Sequence, residues 1–407
     1  MLPERRAASD DEGTAMIRKI EELDLHDKTV FLRVDFNVPI DQGKITETHR
    51  IESTLPTIRL ILERARKVVI ASHLGRPDGK VVAKFSLAPV RDYLERAFRQ
   101  SVVMAPDCIG AEVERLARDP GHRILLLENL RFHKEEEKND VAFSQSLAAL
   151  ADVYVDDAFG AAHRAHASIA GMAAFFKEKA AGLLLQKELD YLSRVLSKPE
   201  SPFVTILGGA KVSDKIGVIR NLLPKLNTLL IGGGMAYTFL RSQGLDTGKS
   251  LVESDKISLA AALIKEAADR GVSLLLPVDH VTGDADKKNP VAGATEIPPD
   301  RMGLDIGPKT VARFTDEIHK AKMLLWNGPV GLFEVEPYSQ GSRALAQALA
   351  ENYSRLISII AGGDTVAAVT AAGVADKITH LSTGGGATLE FLEGRELPGI
   401  KALEVAA

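Results

Sequence analysis

The sequence predicts an α/β protein of two doubly wound, parallel-sheet domains joined by a helix. Short β-rich apolar runs alternate with helical patterns along nearly the whole chain. Several of those runs are apolar almost throughout, as expected of parallel strands covered on both faces. The third observation is length: 407 residues exceed what one core usually supports, which makes two domains the expectation.

Taken in order, strands are expected at 29–34, 67–72, 101–104, 124–127 and 153–155 in the first half. In the second half they are expected at 203–207, 228–231, 273–277, 323–326, 357–361 and 378–381. Helical patterns lie between them at 87–100, 111–118, 140–150, 254–270 and 339–351. This βαβα order is that of open, Rossmann-like sheets. The stretch LLLQKELDYL from Leu183 has the pattern of a long amphipathic helix, and the breakers Pro199 and Pro202 follow it. The expected division is therefore 1–182, then 183–394 including the joining helix, then a C-terminal segment 395–407. Residues 1–15 have the composition of a mobile polar tail. The acidic run Glu135-Glu136-Glu137 is most simply a solvated loop or helix start.

Composition narrows the function. With 51 basic and 55 acidic side chains, the net charge of −4 gives no bulk surface for nucleic acid or membrane. No apolar run approaches the length of a membrane span, and the N-terminus has no secretory core. A soluble protein is expected. The single cysteine, Cys108, excludes an internal disulfide and any cage built from cysteines, and fits a reducing, cytoplasmic setting.

The most informative stretch is LGGAKVSDK at Leu207–Lys215. An apolar strand ends in two glycines, and Lys211 to Ile216 have the look of a helix opening. A strand, a glycine break and a helix N-terminus make a natural anion site. Lys211 and Lys215, four apart, would share a helix face, where a phosphate chain between them would relieve their repulsion. Taken alone, the pattern equally suits a solvated helix start. Other glycine-rich turns follow at Gly232–Gly234, Trp326–Gly331, Gly362–Thr365 and Thr383–Gly386. Asp364, the one acidic residue embedded in such a turn, is the candidate ligand for nucleotide-borne Mg²⁺.

The first half instead places charge after its strands: Arg33, Asp35 and Asn37, then Arg50, then His73 and Arg76, then Arg131, then His163, Arg164 and His166. Guanidinium forks match phosphate and carboxylate oxygens, so Arg50, Arg76, Arg131 and Arg164, four arginines beside strand ends, suit a small, multiply anionic substrate. Zinc between His163 and His166 lacks further ligands. Gly244–Ser250 is one residue short of a P-loop, and no GxGxxG follows a strand.

In order, the motifs are RVDFNVP (33–39), SHLGRP (72–77), ENLRFH (128–133), DAFGAAHRAHAS (157–168), LGGAKVSDKI (207–216), WNGPVGLFE (326–334), GGDT (362–365) and STGGGATLEFLEG (382–394). With them the chain resembles the phosphoglycerate kinases over about residues 17–403. The resemblance implies a glycolytic enzyme with an active-site cleft between its domains. In the family the N-terminal domain takes 3-phosphoglycerate or 1,3-bisphosphoglycerate, and the C-terminal domain Mg·ADP or Mg·ATP. It assigns Asp35, Asn37, Arg50, His73, Arg76, Arg131 and Arg164 to the phosphoglycerate. Lys211 and Lys215 fall to the phosphates, Asn327 and Glu334 to the nucleoside side, and Asp364 to Mg²⁺, with Gly362, Gly363 and Thr365 in the nucleotide turn. Arg50 and Lys211 are the expected catalytic pair. The C-terminal segment is expected back on the first domain, and a monomer that closes by hinge bending is expected. Asp156 and Ala161 stand where the family commonly has Asn and Thr. A non-catalytic two-lobe protein that clamps a phosphorylated metabolite is the alternative, and an acetate-kinase type lacks support beyond its glycine turns.

Overall fold

A computed structural model describes residues 16–405; the tail expected over 1–15 lies outside them. The chain forms two compact units. One runs to Gln186 and is taken up again at Leu397, and the other is Lys187–Glu396. The change of unit falls within the helix Leu183–Ser197.

The first unit is built on six parallel strands: β1 (Thr29–Arg33), β2 (Lys67–Ala71), β3 (Val103–Met104), β4 (Ile124–Leu126), β5 (Val153–Asp156) and β6 (Lys179–Ala181). Their order is β3-β4-β2-β1-β5-β6. Every residue of β1 and β2 is buried, which is why these runs lack alternation. Val30, Leu32, Val68 and Ile70 join Ile51, Ile58 and Ile61 of the helix His49–Arg64 in one core. Central β1 pairs with β2 (Arg33↔Ala71) and β5 (Arg33↔Asp156), so Arg33 closes the sheet at its carboxyl edge. The C-terminal helix Pro398–Leu403 lies against the same unit: Gly399 donates to the Ala162 carbonyl at 2.8 Å, and a Cβ there would strike Ala162 and Ile169. Glu404–Val405 then pairs antiparallel with Met16–Ile17.

The second unit repeats the plan with β7 (Phe203–Leu207), β8 (Thr228–Ile231) and β9 (Ser273–Leu275). A three-stranded antiparallel sheet follows: β10 (His280–Gly283), β11 (Val291–Ala294) and β12 (Met302–Ile306). The parallel sheet resumes with β13 (Met323–Asn327), β14 (Ile357–Ala361) and β15 (His380–Leu381), in the order β9-β8-β7-β13-β14-β15.

Several expectations need correction. The antiparallel sheet and β6 are additional to the expected strands, and they carry no apolar run of strand length to mark them. β15 is half the expected length, because the turn Ala375–Lys377 takes the Ile378 N–H at 3.3 Å. The acidic run does start a short helix, Lys134–Glu137, but Glu136 is fully buried rather than solvated. No described helix is long and apolar enough to cross a membrane.

Candidate functional site

In the first unit, the loops leaving β1, β2, β4 and β5 carry the polar residues, at the edge where open parallel sheets bind ligands. Buried Asp35 accepts from Arg50 Nη1 at 2.8 Å and from the Asn37 N–H at 3.2 Å, with His73 Nε2 at 3.8 Å. Asn37 Oδ1 accepts from the Gly75 N–H at 2.9 Å, tying the first loop to the second. Asn129, fully buried, accepts from Leu74 and Arg131 N–H groups and donates to the Leu74 and Phe85 carbonyls. This clamp shapes the turn Leu130–Phe132 that presents Arg131. Arg131 is buried, with Nη1 on the Gly75 carbonyl at 2.8 Å and Nε 3.2 Å from Glu137. Arg164, half-buried, donates to His163 Nε2 at 3.2 Å. Arg76 is exposed and has no ion pair or side-chain hydrogen bond among the described residues.

Arg33, Arg50, Arg131 and Arg164 lie within electrostatic reach of the rings of His73 and His166. Burial, then the charges of Arg33, Arg131 and Arg50, hold His73 well below the usual histidine range. Burial, with Arg131, Arg33 and Arg164, depresses His166 to about 3. Both rings are therefore neutral near pH 7, and the arginines supply the positive field.

Sequence reasoning missed what holds this field in place. Arg33 is completely buried, donating from Nε to Ser168 Oγ at 2.7 Å and lying 3.2 Å from His73 Nδ1. Ser168 in turn donates from N and Oγ to Glu136, at 2.9 and 2.6 Å. Burial raises the Glu136 pKa against the opposing pull of Arg33, as expected of a carboxylate taken from water. No local signal marks this network, because Ser168 is 135 residues from Arg33 and 32 from Glu136.

In the second unit the ends of β7, β13 and β14 lie side by side (Leu207↔Asn327, Asn327↔Ala361). The expected helix from Lys211 does not form. The helix is Ile216–Leu222, with Lys215 at its N-cap, so the two lysines share no helical face. The Glu253 carboxylate accepts from the N–H groups of Val212 and Ser213 and from the Ser213 hydroxyl, holding the segment as a turn. Lys211 projects exposed and unpaired among the described residues. Lys215 is half-buried and donates to Asn327 Oδ1, while Asn327 Nδ2 donates to the Ala361 carbonyl at 2.9 Å. Burial lowers the Lys215 pKa against the opposing charges of Asp214, Asp364 and Glu393.

Part of the glycine signal serves packing. A Cβ on Gly208 would lie 2.1 Å from the Pro329 carbonyl oxygen, so the turns after β7 and β13 touch backbone to backbone. Thr365 is likewise structural, since its buried hydroxyl accepts from the Gly328 N–H at 2.7 Å. Gly363 instead faces open space, at the start of the helix Gly363–Ala371, and Gly362 (φ +92°) turns the chain into it. Asp364, in that first turn, is exposed and makes no side-chain hydrogen bond or ion pair among the described residues. A free carboxylate whose charge reaches Lys215 fits a hard divalent cation carried on a phosphate chain. Glu334 is exposed in the loop beyond Gly331, also without a partner among the described residues.

The phosphoglycerate kinase family model matches residues 20–395. The chain belongs to the phosphoglycerate kinase family. A phosphoglycerate kinase of Koribacter versatilis is 54% identical over 396 residues, covering 94% of this chain and 98% of that one. A cytosolic phosphoglycerate kinase of Triticum aestivum is 53% identical over 391 residues, covering 95% and 97%. The solved phosphoglycerate kinase of Coxiella burnetii superposes with a TM-score of 0.84 at 43% identity, covering 95% of this chain and 99% of that one. As a member of this family the chain is a kinase, a phosphotransferase whose acceptor is a carboxyl group.

Proposed function

We propose that the chain catalyses the reversible transfer of a phosphoryl group from 1,3-bisphosphoglycerate to ADP, giving 3-phosphoglycerate and ATP, with Mg²⁺ carried on the nucleotide. The observation that carries this reading is the presence of two chemically different anion-binding clusters, one at the carboxyl edge of each sheet. A binding protein for one phosphorylated metabolite needs only one of them.

In this reading Arg131 and Arg164 hold the phosphate that is not transferred. Asp35, an acceptor only, suits the substrate hydroxyl, and Asn37, neutral His73 and Arg76 complete the cradle. Lys215 and Lys211 take the nucleotide phosphates, the turn Gly362–Thr365 offers backbone N–H groups, and Asn327 and Glu334 face the nucleoside side. Asp364 would hold the Mg²⁺, which supplies charge neutralisation on the phosphate oxygens. Arg50 and Lys211 are the pair aimed at the phosphoryl group in transit, and Arg50 exchanges its Asp35 contact for those oxygens. No covalent enzyme intermediate is required, because positioning and charge stabilisation suffice for this transfer. A cytoplasmic monomer without nucleic-acid or membrane partners is part of the same proposal; the name of the wheat relative and the charge of −4 support it.

A coupled assay with 3-phosphoglycerate and Mg·ATP tests the reading. Turnover that is abolished by a chelator of Mg²⁺ is expected. Tight binding of both ligands with no ADP release would favour the binding-protein alternative.

A further inference from the structure

Beside the first cluster, two loops leave the sheet of the first unit side by side. β3 and β4 are parallel neighbours (Val103↔Leu125, Met104↔Leu126), and the loop after β3 carries Asp107 and Cys108. The loop after β4 carries His133 at the start of the helix Lys134–Glu137. One carboxylate oxygen of Asp107, Cys108 Sγ and one ring nitrogen of His133 all lie within 4.8 Å of one another. We propose that these three side chains form a binding site for a borderline-soft divalent metal ion of the zinc class.

The donor set selects the ion. One thiol, one imidazole and one carboxylate suit Zn²⁺ or Co²⁺, whereas Mg²⁺ and Ca²⁺ take oxygen ligands. Zinc bonds of about 2.0–2.3 Å place tetrahedral ligand atoms roughly 3.3–3.8 Å apart. His133 Nε2 now lies 2.6 Å from Asp107 Oδ1, so an ion entering between them needs only about an ångström of opening. The ring is already oriented by packing on Phe143, at 5.1 Å between centroids. The thiol is at the closed end, fully buried and donating to the Glu128 carbonyl at 3.0 Å. Asp107 and His133 form the mouth, their side chains 46% and 24% exposed.

The His133–Asp107 pair accounts for two of these residues without a metal, and leaves the thiol as a small buried apolar group. The metal reading differs in a way that can be measured. Binding replaces the thiol proton with the ion and frees His133 Nε2 of the proton it shares with Asp107, which passes to Nδ1 or to solvent, so at least one proton is released and affinity rises with pH. Because the chain has one cysteine, a thiolate-to-cobalt charge-transfer band can come from Cys108 alone.

The reduced full-length protein, free of nucleotide, is titrated with Co²⁺ and then with Zn²⁺. An ultraviolet charge-transfer band saturating at one equivalent and abolished by Zn²⁺ is expected. It should be absent in Cys108→Ala and weakened about tenfold or more in His133→Gln. Zn²⁺ should raise Tm in the wild-type chain and not in Cys108→Ala, as linkage to a native-state site requires. The absence of a band in the wild-type protein would overturn the proposal. So would a Zn²⁺-dependent rise in Tm that survives Cys108→Ala, or unchanged affinity in His133→Gln if Cys108→Ala fails to fold.

Discussion

In the first unit Arg33, Arg50, Arg131 and Arg164 share one electrostatic field; Arg33 and Arg131 are buried, steadied through Ser168, Glu136 and the Asn129 turn, while Arg50 and Arg164 are half-buried against Asp35 and His163. In the second unit the corresponding sheet edge is backbone: glycine turns, one buried asparagine, and a few charged groups that stand exposed and unpaired among the described residues. In the proposed reading one edge recognises its anion mainly through side chains fixed in advance, and the other through N–H groups with charges still free to move. The difference suits a compact, rigid, multiply charged ligand on one side and a long, metal-bearing phosphate chain on the other. It also predicts where substitutions will cost stability and where only function.

The largest expected effects are on the chemical step, where the two edges are proposed to act together. Arg50→Ala and Lys211→Ala should each lower kcat on the order of 10²–10³ with modest changes in either ligand's Kd, because both groups serve the phosphoryl group mainly in the transition state. The double variant should lose less than the product of the two. Steady-state kinetics with separate binding titrations decide it, and near-wild-type kcat in Arg50→Ala would remove that residue from the pair.

Next comes a stability difference specific to the first unit. Asp156 is fully buried beside Arg33; its Oδ1 accepts from the Ala158 N–H at 2.9 Å and its Oδ2 has no partner among the described residues. Burial raises its pKa from 3.8 to about 7. Between those values the folded state binds the extra proton, so stability falls as pH rises through the window, and the cost is complete above about 7. Asp156→Asn keeps the bond to Ala158 and removes the charge. It should add roughly 1–3 kcal/mol at pH 8 and little at pH 4. Asp364→Asn, on an exposed site of the second unit, should change stability at neither pH. Urea unfolding of both variants at the two pH values would show it, and equal gains for Asp156→Asn at pH 4 and pH 8 would disprove the linkage.

The same contrast explains what the sequence could disclose. Strands such as β1, β7 and β14 were legible because burial on both faces leaves a mainly apolar run without alternation. β11 was not, since VAGA is short, half exposed and interrupted by a glycine. Site residues were legible where they stand beside strand ends, as Arg131 and Asp364 do. The burial of Arg33 and Glu136 in one network was not, because such a network is defined by partners far away in the chain. The turn at Lys211 was misread for a related reason: Glu253, which takes the N–H groups a helix would use, lies about 40 residues on.

A smaller effect separates the two arginines proposed for the bound phosphate. Arg164→Lys keeps the charge and loses the fork. It should raise KM for 3-phosphoglycerate about tenfold with kcat little changed, since that contact is alike in ground and transition states. Arg131→Lys should do the same and also lower Tm, because its guanidinium is buried on the Gly75 carbonyl. A collapsed kcat in Arg164→Lys would reassign it to the transferring group.

The smallest expected effect belongs to Glu334, and its size follows from exposure. A buried, charge-assisted bond to a ribose hydroxyl would be worth roughly 1.5–3 kcal/mol. Glu334 is exposed in the loop after β13 and lacks a described partner to hold it in place. Water competes for its oxygens, and ordering the side chain on binding costs entropy that a fixed group such as Asn327 has already lost. Glu334→Ala should therefore weaken Mg·ADP by only about 0.5–1.5 kcal/mol, roughly three- to tenfold in Kd, and leave 3-phosphoglycerate unaffected. Calorimetric titration with each ligand alone measures both. A loss beyond a hundredfold would mean that the loop folds over the nucleotide and buries the carboxylate. A loss on the phosphoglycerate side would place Glu334 with the wrong ligand.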